Sequence, residues 1–170
     1  MIAIPLSTAA DDKAVVRVLP AEGSYGVGAE IAVEVYAENV ANLYGANVQL
    51  VFDTTRLSVL DADPSLPGVQ VMPRYDLLSP DLVIHREADN EAGTIWYAVT
   101  QLNPSEPVGG SGALFSFTLQ ALGAGLGTVT IQQQTLATRD ADVIPADAEG
   151  ARYLISGRHA VFLPLIAVNR

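Results

Sequence analysis

The sequence contains no cysteine. That excludes disulfide frameworks, thiolate zinc sites and cysteine nucleophiles. Basic residues are also scarce: 9 Lys and Arg stand against 19 Asp and Glu, a formal net charge of -10. No basic patch exists to neutralise phosphates, which argues against nucleic acid and against anionic membrane surfaces as partners. Charged residues of both signs make up only 16% of the chain and aromatics only 6%. The first figure is low for a soluble domain. The second leaves little for a row of rings stacking on sugars. No apolar run approaches the length of a membrane helix, so membrane insertion is not expected. The opening decapeptide is too short and too uncharged for an intact signal peptide.

What is present is apolar residue in quantity, 49% of 170 residues. A chain of this length suits one domain with a two-layer core and needs neither metal nor disulfide to hold it. The uncharged remainder, rich in Ser, Thr, Gln, Asn, Ala and Gly, suits an exported β-protein.

The dominant pattern is a period of two. Val16 and Val18 alternate with Val15, Arg17 and Leu19. Ile31, Val33, Val35 and Ala37 alternate with Ala32, Glu34, Tyr36 and Glu38. Val48, Leu50 and Phe52 share one face of a strand over 46–52, leaving Asn47 and Gln49 on the other. Residues 57–60 read as a short strand after a turn at 53–56, and 61–67 as a loop with two prolines. Segments 82–88 and 94–102 read as a hairpin about the polar loop 89–93, which ends in Gly93. Phe115, Phe117 and Leu119 mark a strand over 113–122, and 128–137 is another. Segments 152–155 and 159–163 are expected to pair last. Residues 23–28, 39–44, 103–112 and 123–127 read as turns or connections. The expected fold is all-β, about nine strands in a two-sheet sandwich with Greek-key or jelly-roll connections. The expected organisation is an N-terminal arm (1–12), the sandwich (13–163) and a C-terminal tail (164–170). The apolar stretch 161–168 is expected to pack on the body or on a neighbour.

Catalytic signatures are missing. There is no G-x-S-x-G elbow. Gly123, Gly125 and Gly127 lack the following helix that a phosphate cradle requires. His85 and His159 have no matched ligand set for a metal. Asp140, Asp142, Asp147 and Glu149 cluster in one segment but not at EF-hand spacing, so a solvated acidic turn competes with a calcium loop.

One series of motifs resembles a known family. Residues 42–46 (Asn-Leu-Tyr-Gly-Ala), then Val48 to Asp53, then Leu57 to Leu60, resemble the early part of a cohesin domain, with Thr54 where proline is usual. Residues 93–98, Leu102-Asn-Pro104 and 110–115 resemble its middle. Asp140 to Pro145 and Ala151 to Gly157 resemble its end. The series runs over residues 14–160. The short segment 102–112 leaves little room for the extra helix of some subtypes, so a type I-like form fits better.

The resemblance implies a nine-stranded jelly roll that binds a dockerin module of a secreted or surface protein, as in cellulosomes. It has no catalysis and no cofactor of its own, since any calcium belongs to the dockerin. It also implies which face binds. The outward residues there are Asn47 and Gln49, then Trp96, Ala98 and Thr100, then Thr130 and Gln132. If Leu82 and Ile84 point inward, Val83, His85 and Glu87 join them. Trp96 reads either as an interface anchor, since Trp is favoured at hot spots, or as satellite core. A carbohydrate-binding module and a structural or adhesive domain of a surface protein are the competing functions.

Overall fold

The computed structural model describes residues 13–157. The arm (1–12), His159 and the stretch 161–168 lie outside them. The described residues form two sheets face to face, without a helix. The first strand, β1 (Ala14–Leu19), lies between β13 (Ala146–Glu149) and β3 (Glu30–Leu43). Sheet one then continues through β10 (Val108–Ala121) to β5 (Leu57–Leu60), with the two-residue β7 (Met72–Pro73) also on β10. Sheet two runs β2 (Glu22–Gly26), β14 (Ala151–Ser156), β11 (Gly125–Ala137), β4 (Gly45–Phe52), β9 (Thr94–Thr100), β8 (Leu82–Asp89), β6 (Val69–Gln70). The short β12 (Val143–Ile144) pairs with β11. This is the expected all-β jelly-roll sandwich.

Alternation places the core. Val16, Val18, Ile31, Val33 and Val35 are buried on the inner side of sheet one, with Phe115, Phe117 and Leu119. They face Val48, Leu50, Ile95, Tyr97, Val129 and Tyr153 of sheet two. Tyr97 and Phe115 join the sheets, their rings stacked at 4.3 Å and 22°. Burial pushes the Tyr97 and Tyr153 phenols well above the usual tyrosine range.

Several expected connections are strands. Residues 39–43 continue β3, and 108–112 open β10; the two pair through Leu43 with Val108 and Val40 with Gly110. The turn signals there are real but are absorbed as irregularities. Asn39 and Asn42 take φ of 53° and 58°, Gly110 takes 115°, and the register shifts three times. Asn tolerates the left-handed region, and a bulge holds such a residue without ending the strand. Segment 23–28, expected as a turn, is mostly the edge strand β2, and the Tyr25 ring sits edge-on to Tyr153 at 5.8 Å.

The acidic segment 140–149 is likewise partly strand. β13 pairs in parallel with β1, bringing Asp147 to Lys13 and Glu149 to Arg17. Among the described residues no three His, Asp or Glu side chains gather as a metal site.

The ends of the domain close it. β1 and β13 run parallel in sheet one, and their continuations β2 and β14 run parallel in sheet two. The Tyr153 hydroxyl donates to the Pro20 carbonyl at 2.9 Å, tying one crossing to the last strand. The other crossing is Gly150, where an added Cβ would lie 2.4 Å from the Val129 carbonyl oxygen. Gly150→Ala must displace backbone, and overpacking of this kind costs about 2 kcal/mol. The expected result is a fall in melting temperature of roughly 5 °C, read by circular dichroism; an unchanged value would show that the crossing yields freely. Residues 159–163, expected to pair with 152–155, lie outside the described residues. β14 has β11 on one side and β2 on the other.

Candidate functional site

The two outer faces differ in charge. On sheet one, Arg17 meets Glu38 at 3.0 Å and Arg74 meets Glu34 at 2.8 Å, a lattice of exposed and half-exposed ion pairs. The outer face of β11, β4, β9 and β8 carries mostly neutral polar groups. Cross-strand partners on a sheet point the same way, so the pairing registers define rows. One row reads Thr135, Asn47, Ala98, His85; the next reads Gln133, Gln49, Trp96, Glu87; a third reads Thr130, Val51, Thr94, Asp89. Asn47, Gln49, Trp96, Thr100, Thr130, His85 and Glu87 are thereby gathered on one face.

Trp96 is held rather than free. Its indole N–H donates to Asn47 Oδ1 at 2.9 Å. The His85 ring lies flat on it, centroids 3.4 Å apart at 14°, and His85 Nδ1 is 3.0 Å from Glu87 Oε1. What remains exposed is 37% of the residue. The indole is fixed in plane by one neighbour and roofed by another. It is therefore a pre-ordered platform, which reduces the side-chain entropy lost when a partner covers it. Beside it a shallow depression of about 380 Å³ is lined by Asn47, Ile84, His85, Trp96, Thr100 and Thr135.

Two bulges correct the expected face. In β8 the register shifts between Val83 and His85. Val83 pairs with Val99 rather than with a residue of the rows, yet is 37% exposed, whereas Leu82 pairs with outward Thr100. Ile84, the extra residue, borders the depression and is 55% exposed. In β11 the shift falls between Ile131 and Gln133. Gln132 is the unpaired bulge residue; Gln133 and Thr135 stand opposite Gln49 and Asn47. Gln134 turns inward, its amide donating to the Ala146 carbonyl at 2.8 Å. Ala98 does face outward but is buried beneath its row neighbours. Leu82, Gln133 and Thr135 stand on this face and Ile84 borders its depression, beyond the residues that alternation names. The one sequence signal was Leu82-Val-Ile84, three apolar residues in a row where strict alternation fails.

A loop frames one end of the face. The Asp81 carboxylate accepts from the Leu102 N–H and the Ser105 hydroxyl, both at 2.7 Å. The Leu102 bond first, then Ser105, holds the Asp81 carboxyl below the usual aspartate range. Asp53 is lowered chiefly by the Thr55 hydroxyl, and Asp63 by the Ser65 hydroxyl and then Arg86. A depressed folded-state value stabilises above the unfolded value, about 3.9, and that stability is lost as pH falls through the folded one. Melting temperature is therefore expected to be flat near neutrality and to fall below about pH 4. Asp81→Asn should make that acid limb shallower and speed hydrogen exchange at Leu102. An identical limb would uncouple this carboxylate from folding.

No protein-family model and no curated protein sequence matches the chain. Solved structures do. A type II cohesin domain from the cellulosome of Acetivibrio cellulolyticus superposes with a TM-score of 0.67 at 11% identity, over 83% of this chain and 95% of that one. A chain of a type I cohesin–dockerin complex from Clostridium thermocellum gives 0.63 at 15% identity, over 86% and 95%. A non-cellulosomal cohesin from the hyperthermophilic archaeon Archaeoglobus fulgidus gives 0.60 at 16%, over 85% and 91%. At these identities the likeness is one of fold. The chain has the cohesin fold, and both cohesin types are among its structural neighbours.

Proposed function

We propose that this chain is a non-catalytic, type I-like cohesin module that binds a dockerin through the outer face of β11, β4, β9 and β8. The observation that carries the reading is the organised Trp96 on a nearly uncharged sheet face, within a fold whose solved members include cohesins in complex with dockerins. Depletion of charge and a central aromatic are what a protein interface core requires. Asn47, Gln49, Gln133 and Thr135 supply the hydrogen bonds that fix orientation, and Leu82 and Ile84 supply apolar area at one end. His85 and Glu87 belong to the same surface.

In this reading the module works outside the cell or at its surface, joined to a secreted assembly. The sandwich proper is the partner-binding unit. No helix among the described residues is long and apolar enough to cross a membrane. Sugar binding would need several exposed rings on one face, whereas this face presents one indole, partly roofed by His85.

The test is calorimetric titration of the chain with calcium-loaded dockerins encoded in the same genome. Saturable one-to-one binding by at least one of them is expected. Failure of the whole set, with each dockerin shown to be folded, overturns the reading.

A further inference from the structure

The smallest residues of the Trp96 face lie together. Pairing aligns Ala137, Gly45, Thr100 and Leu82 in one row, and Thr135, Asn47, Ala98 and His85 in the next. Gly45, Ala98 and Ala137 therefore adjoin on three neighbouring strands, and they form the floor of the depression of about 380 Å³. A side chain at position 45 would press on Thr100, since a Cβ there would lie 3.4 Å from the Thr100 hydroxyl oxygen. The walls are taller. Trp96 forms one, and Ile84, the extra residue of the β8 bulge, forms another.

The chemistry of the lining selects what can enter. Among the described residues that line the depression there is no Asp, Glu, Lys or Arg. Several of its polar atoms are already engaged. Asn47 Oδ1 accepts from the Trp96 indole, His85 Nδ1 meets Glu87, and the Thr100 hydroxyl donates to the Gln101 carbonyl at 3.0 Å. A charged group lowered into this site would lose water and gain no counter-charge, a cost that one hydrogen bond does not offset. An aliphatic group has no such cost and leaves water favourably. Size fits as well. An apolar cavity of about 150 Å³ holds a benzene-sized group. The depression, open on one side, therefore has room for one branched side chain.

Resting on the reading that the Trp96 face meets a dockerin, we propose that this depression is a socket for one leucine-sized aliphatic side chain of that partner. Ala98 sets its depth and thereby which residue the partner must present. The socket opens onto the same surface as Trp96, so the partner that covers the indole also closes the socket. Binding energy then concentrates in one desolvated pocket rather than spreading over the whole face.

The first arm of the test needs no dockerin. Isoamyl alcohol, which carries the leucine side chain, is titrated into the full chain. Trp96, the only tryptophan, reports by fluorescence, and Gly45 and Ala98 report by their amide shifts. Saturation is expected at roughly 10–100 mM, the strength of so small a ligand. Ala98→Leu fills the floor and is expected to weaken this at least about tenfold, with an unchanged circular dichroism spectrum. Should that spectrum change, Ala137→Leu fills the same floor from the neighbouring strand. Shifts that never saturate, or that are equal in wild type and the filled variant, overturn the socket. The second arm is calorimetry with a dockerin that binds wild type, where Ala98→Leu is expected to lose about tenfold or more in affinity. Equal affinity there overturns the socket and leaves the dockerin reading standing. Saturation by the alcohol without binding by any dockerin overturns that reading and leaves the socket standing.

Discussion

Phe115→Ala is expected to lower the unfolding free energy by about 4 kcal/mol, the range for a large aromatic removed from a packed core. Phe115 is fully buried and stands between Tyr97 of the opposite sheet, at 4.3 Å, and Phe117 of its own strand, at 6.1 Å. Its removal withdraws both apolar area and the partner of a stacked contact between the sheets. The surroundings are β-strands locked by hydrogen bonds on both sides, β3 and β7. They cannot collapse into the gap as a loop would. Urea unfolding monitored by Trp96 fluorescence should show a lower midpoint with an unchanged slope, and melting temperature should fall by roughly 10 °C. A loss under about 1.5 kcal/mol, typical of a tolerated core swap, would show that the sandwich does not depend on this junction. Phe115→Leu should fall between the two, since it keeps most of the volume.

The second large effect concerns the proposed interface. Trp96→Ala is expected to weaken dockerin binding by about 2 kcal/mol, roughly thirtyfold in Kd. Three losses combine: the exposed indole edge, the platform on which His85 lies, and the partner of the Asn47 carbonyl. Asn47→Ala tests the last alone. It removes the acceptor that fixes the indole but leaves the ring, so it should cost about 1 kcal/mol. Fold stability should barely move in either variant, because the group lies on the outer side of the sheet. Calorimetry on both, beside wild type, separates the contributions. If Trp96→Ala binds as wild type does, the indole is outside the interface and the Leu82 and Ile84 end becomes the anchor to mutate next.

The face itself was only partly legible in the sequence. Asn47, Gln49 and Trp96 lie where alternation places them, because β4 and β9 run without irregularity through seven paired residues. Val83 and Gln132 fall outside the paired rows, because each lies next to or at a register shift, although both are exposed. One inserted residue reverses the side of everything beyond it. Hence alternation counted from Val129 reaches the wrong residue after Ile131, and Gln133 and Thr135 take the outward places. That His85 would lie flat on Trp96, or that Asn47 would spend its carbonyl on the indole, follows from side chains of three strands meeting across the sheet. Their sequence separations, such as the 49 residues between Asn47 and Trp96, carry no local signal.

The same division holds for the fold. Period-two burial of Val16, Val33, Val35, Leu50, Ile95 and Phe117 is a local property: a half-buried strand must place every second side chain in the core. The sequence therefore determined by itself that the protein is all-β, where most strands run, and which side faces in wherever a strand runs without a bulge. The order of its motifs also pointed to the cohesin fold that the structure carries. The tertiary structure alone decided how the first and last strands pair. β2 and β13 are too polar and too short to announce themselves, and they exist because a parallel neighbour more than a hundred residues away satisfies their backbone. It alone decided where bulges fall, since a bulge is a mismatch between two strands and neither encodes it. And it alone turned a tryptophan that could have been anchor or core into a fixed, half-covered platform, because only the meeting of β4, β9 and β8 brings Asn47 and His85 to it.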